Sequence, residues 1–199
     1  MRIEILLYDG FDELDGIAPY EVLRTAEEYG ADIHAVLVGA DGAGTVTASH
    51  GTQIRVDGGL SEAAGMVLVP GGTWNSRGER GAWAEAQRGE VPAQIASAHG
   101  RGVRIASVCT GAMLVATAGI LDGRPATTHH TAIEDLRATA ARVIDGARVV
   151  DDGDIMTAAG ITSGIDLALH IVEQQAGAEI AEQVADEIEY ERRFDVARA

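Results

Sequence analysis

The chain has 199 residues, 46% of them hydrophobic and only 4% aromatic, which suits one domain with a core of Ala, Val, Ile and Leu. Its 31 Asp and Glu against 15 Lys and Arg give a formal charge of −16, a balance that repels nucleic acid phosphates and anionic membranes and sets both aside as partners. A single cysteine excludes an internal disulfide and any Cys-rich zinc site. No apolar run approaches the roughly 20 residues needed to span a bilayer. The amino-terminal MRIEILLY enters strand-like sequence rather than a leader, so the expected compartment is the cytoplasm.

Taken in order, Ile3 to Tyr8 reads as a buried strand. The turn Asp9-Gly10 then leads through Phe11-Asp12-Glu13-Leu14-Asp15 to Pro19, expected in a first helical turn, and the helix runs to about Tyr29 with Gly30 as its stop. Ile33 to Val38 is a second strand, and residues 45 to 57 read as short antiparallel additions at a sheet edge. Met66 to Val69 is a third buried strand that runs into Pro70-Gly71-Gly72. Residues 79 to 100 are mostly helical, with Pro92 interrupting or kinking the run. After the turn 121–125, Ala126 to His129 reads as a short strand and Thr131 to Ala140 as a short helix. Arg148 to Val150 and Ile155 to Thr157 flank a Gly-containing turn, a hairpin pattern. An amphipathic helix follows from Thr162-Ser163 to about Gln175, stopped by Gly177, and a last helix over 178–192 ends in a charged tail. Strands alternating with helices predict one α/β domain over 1–199, three-layered, with a mostly parallel sheet.

The stretch 103–119, VRIASVCTGAMLVATAG, passes from a β-branched strand pattern into helix formers at Cys109-Thr110-Gly111, with no room for a loop. A strand turning directly into a helix places one residue on a tight elbow above the sheet, the arrangement that presents nucleophiles in α/β enzymes. Here that residue is the only cysteine, and a helix start beneath it favours thiolate over thiol. The alternative for a lone cysteine is a small buried hydrophobe.

A thiolate attacking carbon needs donors for developing charge and an acid to move protons. The Thr110 N–H follows the nucleophile, and Gly72, at the end of another central strand, presents a second N–H without a side chain in the way. Asp15 follows the first strand and so reaches the same sheet edge, where burial beside a thiolate keeps a carboxyl protonated. Asp12 and Glu13 compete for that role, and spacing does not choose among the three. His129 and His130 follow a Thr pair, and His34, His50, His99 and His170 are scattered without metal-ligand spacing. No metal and no cofactor are expected.

The residues ELDGIAPYEVL at 13–23, VPGG at 69–72, SVCTGA at 107–112, AGILDGRPATTH at 118–129 and RVVDDGDIMTAAGITSGIDLALHIV at 148–172 resemble the ThiJ/PfpI superfamily of class I glutamine amidotransferase-like proteins, over nearly the whole chain. Within it the sequence is most similar to the isonitrile hydratase branch and to the ligand-sensing domains of AraC-type regulators. The resemblance implies a flavodoxin-like α/β/α sandwich, Cys109 as nucleophile, Asp15 as its acidic partner and Thr110 as the catalytic neighbour. It also implies Gly72 and Thr110 as paired N–H donors, and a pocket bordered by His129, Ile161 and Thr162, to which the loop residues Gly71 and Trp74 are added on their position after the third strand. The implied activity is a hydro-lyase that turns isonitriles into N-substituted formamides, acting on a small molecule as a homodimer. Glyoxalase or deglycase activity on reactive carbonyls, and a non-enzymatic redox-sensing or ligand-binding role for Cys109, are the alternatives. The segment PGGTWNSRGERGAW at 70–83 and the ending EIEYERRFDVARA depart from that branch. Trp74 and Arg77 either reshape the pocket or bind an anionic substrate, or pack on the surface.

Overall fold

The computed structural model describes residues 1–193 and 196–198. It begins with β1 (Arg2–Leu7), whose side chains are buried from Ile3 onward, and α1 (Glu13–Glu28). β2 (His34–Gly39) is followed by the hairpin of β3 (Gly44–Thr47) and β4 (Gln53–Val56). β5 (Met66–Val69) is buried at every position, as its unbroken apolar sequence requires of a central parallel strand. α2 (Ala82–Arg88) and α3 (Glu90–Gly100) lead to β6 (Arg104–Val108) and the short α4 (Gly111–Thr117). β7 (Pro125–Ala126), a 3-10 turn at 130–132, α5 (Ile133–Arg137) and β8 (Arg142–Val143) form an excursion. β9 (Val149–Asp151), β10 (Ile155–Ala158), α6 (Ser163–Ala176), α7 (Ala178–Glu187) and β11 (Val196–Arg198) complete the order.

Among the described residues the central sheet has seven strands in the order β11-β9-β10-β6-β5-β1-β2. Every neighbouring pair is parallel except β9–β10, where Met156 faces Asp151 and Ala158 faces Val149. α1, α6 and α7 pack together on one face, and α2, α3 and α4 on the other. This is the expected three-layer α/β/α sandwich with a mostly parallel sheet. Its parallel strands β1, β5, β6 and β10 all deliver their carboxyl ends to one edge, where open α/β sheets place their sites.

Local chemistry changes several expected boundaries. Pro19 lies inside α1, because the helix starts earlier, with Asp12 as N-cap accepting from the Leu14 N–H. The helical run 79–100 breaks at Gly89, which adopts φ 82°, and Pro92 sits in the first turn of α3, where a missing N–H costs nothing. β3 and β4 pair antiparallel as expected but form a separate two-stranded sheet. The expected last helix stops at Glu187 rather than 192, and residues 196–198 instead add a parallel strand outside β9. Phe194, Asp195 and Ala199 of the expected charged tail lie outside the described residues. Among the described residues no helix is long and apolar enough to cross a membrane.

Candidate active site

Cys109 stands between the last residue of β6 and the start of α4 with φ 57°, a left-handed conformation rare for a residue with a side chain. Its N–H is shared by the carbonyls of Ala158 and Ala159, and its own carbonyl accepts from Thr128 Oγ1 at 2.8 Å. The elbow thus holds its turn because both sides of its backbone are tied to the neighbouring chain. Gly111, two residues on, has no alternative, since a Cβ there would run into the Val69 carbonyl.

Three carboxylates open α1, and the helix phase separates them. Asp12 caps the helix. Glu13 turns toward the β3–β4 turn, accepting from the His50 N–H at 2.9 Å, with His50 Nδ1 2.7 Å from its other oxygen; these contacts hold its carboxyl down to about 2. Asp15, one turn in, points to the sheet edge with none of its surface exposed. Gly71 joins the two ends of this turn. Its carbonyl accepts from the Asp12 N–H at 2.8 Å, and its N–H donates to Asp15 Oδ2 at 3.1 Å. The other oxygen, Oδ1, is buried without a conventional hydrogen bond, and the Cys109 thiol faces the carboxyl.

Burial, with help from the Asp12 charge, pushes the Asp15 carboxyl up to about 7, while the Cys109 thiol and the Gly71 N–H pull it down. The thiol is also pushed up, first by burial and then by the Asp15 charge. The backbone N–H groups of Thr110 and Ile161 favour the charged sulfur and oppose that shift without cancelling it. The expected bias toward thiolate is therefore corrected: at 6% exposure, loss of solvation outweighs the start of a seven-residue helix. Thiol and carboxyl form one coupled acid, and its first proton leaves near neutrality.

The remaining expected residues fall into two groups. Gly71, Gly72 and Thr110 stand at the pair itself. A Cβ on Gly71 would lie 2.5 Å from both the backbone N and Oγ1 of Thr110, so only glycine lets this loop meet the elbow. Gly72 adopts φ 141° and donates its N–H to Thr110 Oγ1 at 3.0 Å, so that N–H is occupied. His129, Ile161 and Thr162 line a neighbouring groove of about 470 Å³, together with Thr128, Ile133 and Arg148. Thr128, which lines the groove, donates to the Cys109 carbonyl, so the groove adjoins the elbow. The Thr131 N–H donates to His129 Nδ1 at 3.3 Å, and burial and His130 push His129 below its ordinary range.

Trp74 stands apart. It is 5% exposed, donates its indole N–H to Asp135 at 2.5 Å and stacks edge-on against Trp83. Arg77 lies 3.9 Å from the Trp83 ring centre and pairs with Asp135 at 2.7 Å. These contacts fasten the 73–81 loop to α5, and they do not bring Trp74 to the groove.

Three contributions to the site carry no obvious sequence mark. The Thr128 hydroxyl and the Ile161 N–H act through backbone geometry; the one available hint was that β10 passes into α6 beside β6, much as β6 passes into α4. Tyr8 is a buried phenol at the end of β1, and its hydroxyl donates to the Pro70 carbonyl at 2.6 Å.

The sequence model of the DJ-1/PfpI family matches residues 1–174. An isonitrile hydratase from Pseudomonas putida is 32% identical over 192 residues, covering 96% of this chain and 78% of that protein. The HTH-type transcriptional regulator CdhR of Pseudomonas aeruginosa is 31% identical over 189 residues, covering 92% of this chain and 53% of the regulator, so the chain spans about half of it. The crystal structure of Drosophila melanogaster DJ-1beta superposes with a TM-score of 0.82 at 26% identity, over 96% of this chain and 98% of that one.

Proposed function

The chain belongs to the DJ-1/PfpI family, and from the acid pair it carries we propose that it is a cysteine-dependent hydratase, a lyase that adds water to isonitriles and releases N-substituted formamides. The observation that carries this reading is the Asp15 carboxyl buried against the Cys109 thiol, a setting in which burial pushes the carboxyl up to about 7. A nucleophile and a proton carrier at one carbon are what the reaction requires. The 32% identity to an isonitrile hydratase supports the substrate class.

In the first step the Cys109 sulfur bonds to the terminal isonitrile carbon, and the proton held by the pair passes through Asp15 to that carbon, giving a thioformimidate. Water then adds across the C=N bond, its oxygen to carbon and a proton to nitrogen. Breaking the C–S bond returns the electron pair to sulfur, and the hydroxyl proton returns to the pair. No electrons are gained or lost overall. The Thr110 and Ile161 N–H groups steady the sulfur as it leaves, while Gly72 holds the Thr110 side chain in place. The groove by His129, Ile161 and Thr162 receives the substituent, with Ile133 and Ile161 giving it apolar contact. We take the working form to be a cytoplasmic homodimer, for which sedimentation at twice the monomer mass is the check.

The test is formamide production from a panel of alkyl and aryl isonitriles. Turnover that vanishes in Cys109→Ala and falls about a hundredfold or more in Asp15→Asn supports the proposal. Undiminished turnover in Cys109→Ala overturns it. With no turnover at all, lactate formation from methylglyoxal tests the reactive-carbonyl alternative.

A further inference from the structure

Tyr8 is almost wholly buried, yet nothing in the reaction above uses its phenol. Its hydroxyl donates to the Pro70 carbonyl at 2.6 Å, and the N–H of the next residue, Gly71, donates to Asp15 Oδ2 at 3.1 Å. That carbonyl and that N–H belong to one peptide group. The group is planar and trans, so the two point in opposite directions and cannot be reoriented separately. A donor on the oxygen also draws charge from the peptide and strengthens its N–H as a donor.

We propose that Tyr8 is a positioning residue for Asp15: through the Pro70–Gly71 peptide it aims an N–H at the carboxylate and so determines how the proton is divided between Asp15 and Cys109. The proposal deepens the preceding reading, resting on its assignment of this pair but not on the identity of the substrate. The groups that bear on Asp15 are Cys109 from the elbow, Asp12 from its own helix start, Tyr8 from the residue after β1 and the Gly71 N–H from the β5 loop. The charge of Glu85 in α2 also bears on Tyr8.

The consequence has a signature. When the pair has lost one proton, that loss resides either on Asp15 or on Cys109, and only the second form reacts with an alkylating agent. Weakening support for the Asp15 carboxylate moves the first inflection to higher pH and enlarges the reactive fraction above it by the same factor. The acidic limb, fixed by Cys109 alone, stays where it was.

The experiment is the rate of iodoacetamide alkylation of the chain's only cysteine across neutral pH, followed by mass. Tyr8→Phe should raise the inflection by about half a unit to one unit and the plateau by the matching three- to tenfold. An unmoved inflection, or a plateau that falls, overturns the proposal. Asp15→Asn should abolish the inflection, and adding Tyr8→Phe to it should then change nothing; a persisting effect would mean that Tyr8 acts on the fold rather than on Asp15. Should Tyr8→Phe fail to fold, replacing the four tyrosines by 3-fluorotyrosine strengthens the donor and should move inflection and plateau down; no movement overturns the proposal. No isonitrile enters these measurements, so a failed hydratase assay and a failed positioning role are separately visible.

Discussion

Asp15 is a carboxyl that burial makes costly to ionise. Its native value of about 7 lies above the unfolded value of 3.8, so between these limits the native state binds more protons than the unfolded one. Stability therefore falls as pH rises through that window, and the whole cost is present above it. Asp15→Asn should raise the free energy of unfolding by about 2–3 kcal/mol at mildly alkaline pH and by little at pH below the unfolded value, as read by urea unfolding at the two pH values. Equal effects at both would mean that Asp15 is ionised at no cost. The same burial suits the chemistry, since a carboxyl that ionises readily cannot carry a proton at neutral pH. In the proposed reaction the residue thus trades stability for proton transfer.

At the scale of elements, the site is the meeting of one loop with one elbow. Gly71→Ala places a Cβ against the Thr110 backbone and Oγ1, and should cost about 1–3 kcal/mol by overpacking while abolishing formamide production. Gly100→Ala, where a Cβ meets nothing, should leave the urea midpoint nearly unchanged; equal losses in both would remove the special status of the loop. This junction also shows what sequence reading could reach. Cys109 was legible because an abrupt change from β-branched residues to helix formers has one structural solution, the elbow. The choice of Asp15 over Asp12 and Glu13 came from the family resemblance and not from spacing, because it depends on the residue at which α1 starts, and one residue of phase exchanges a cap for a buried acid. Pro19 misled that placement, its preference for first turns being weaker than the Asp12 cap. Trp74 was drawn toward the pocket by its neighbours in sequence, whereas the Asp135 carboxylate, which fastens it elsewhere, lies in a distant helix. The Pro70–Gly71 peptide illustrates the remaining limit, since its partners come from the residue after β1 and from α1 and no local pattern announces them.

Over the whole molecule the charge of −16 repels itself, and compactness brings those charges together. Arg124 gathers Asp152 and Asp154 at the β9–β10 turn, and Arg148 holds the buried Asp166, but 15 basic side chains cannot answer 31 acidic ones. Raising sodium chloride from low to moderate concentration should therefore increase the thermal midpoint by screening, and a midpoint that falls would show that attraction between opposite charges outweighs repulsion between like ones. The alternation of strands and helices made the sandwich readable throughout, whereas β11 escaped notice because three residues are too few to set a period.

That short strand has a bearing on how the protein is made. β9 pairs with β10 on one side and with β11 on the other. A ribosome delivers the hairpin well before it delivers Val196–Arg198, so a nascent chain carries an open sheet edge in the interval. Unsatisfied edges of this kind invite pairing between neighbouring chains. A stop codon introduced just before Val196 would make that interval permanent, leaving a molecule with its Cys109 and Asp15 in place and a standing tendency to aggregate.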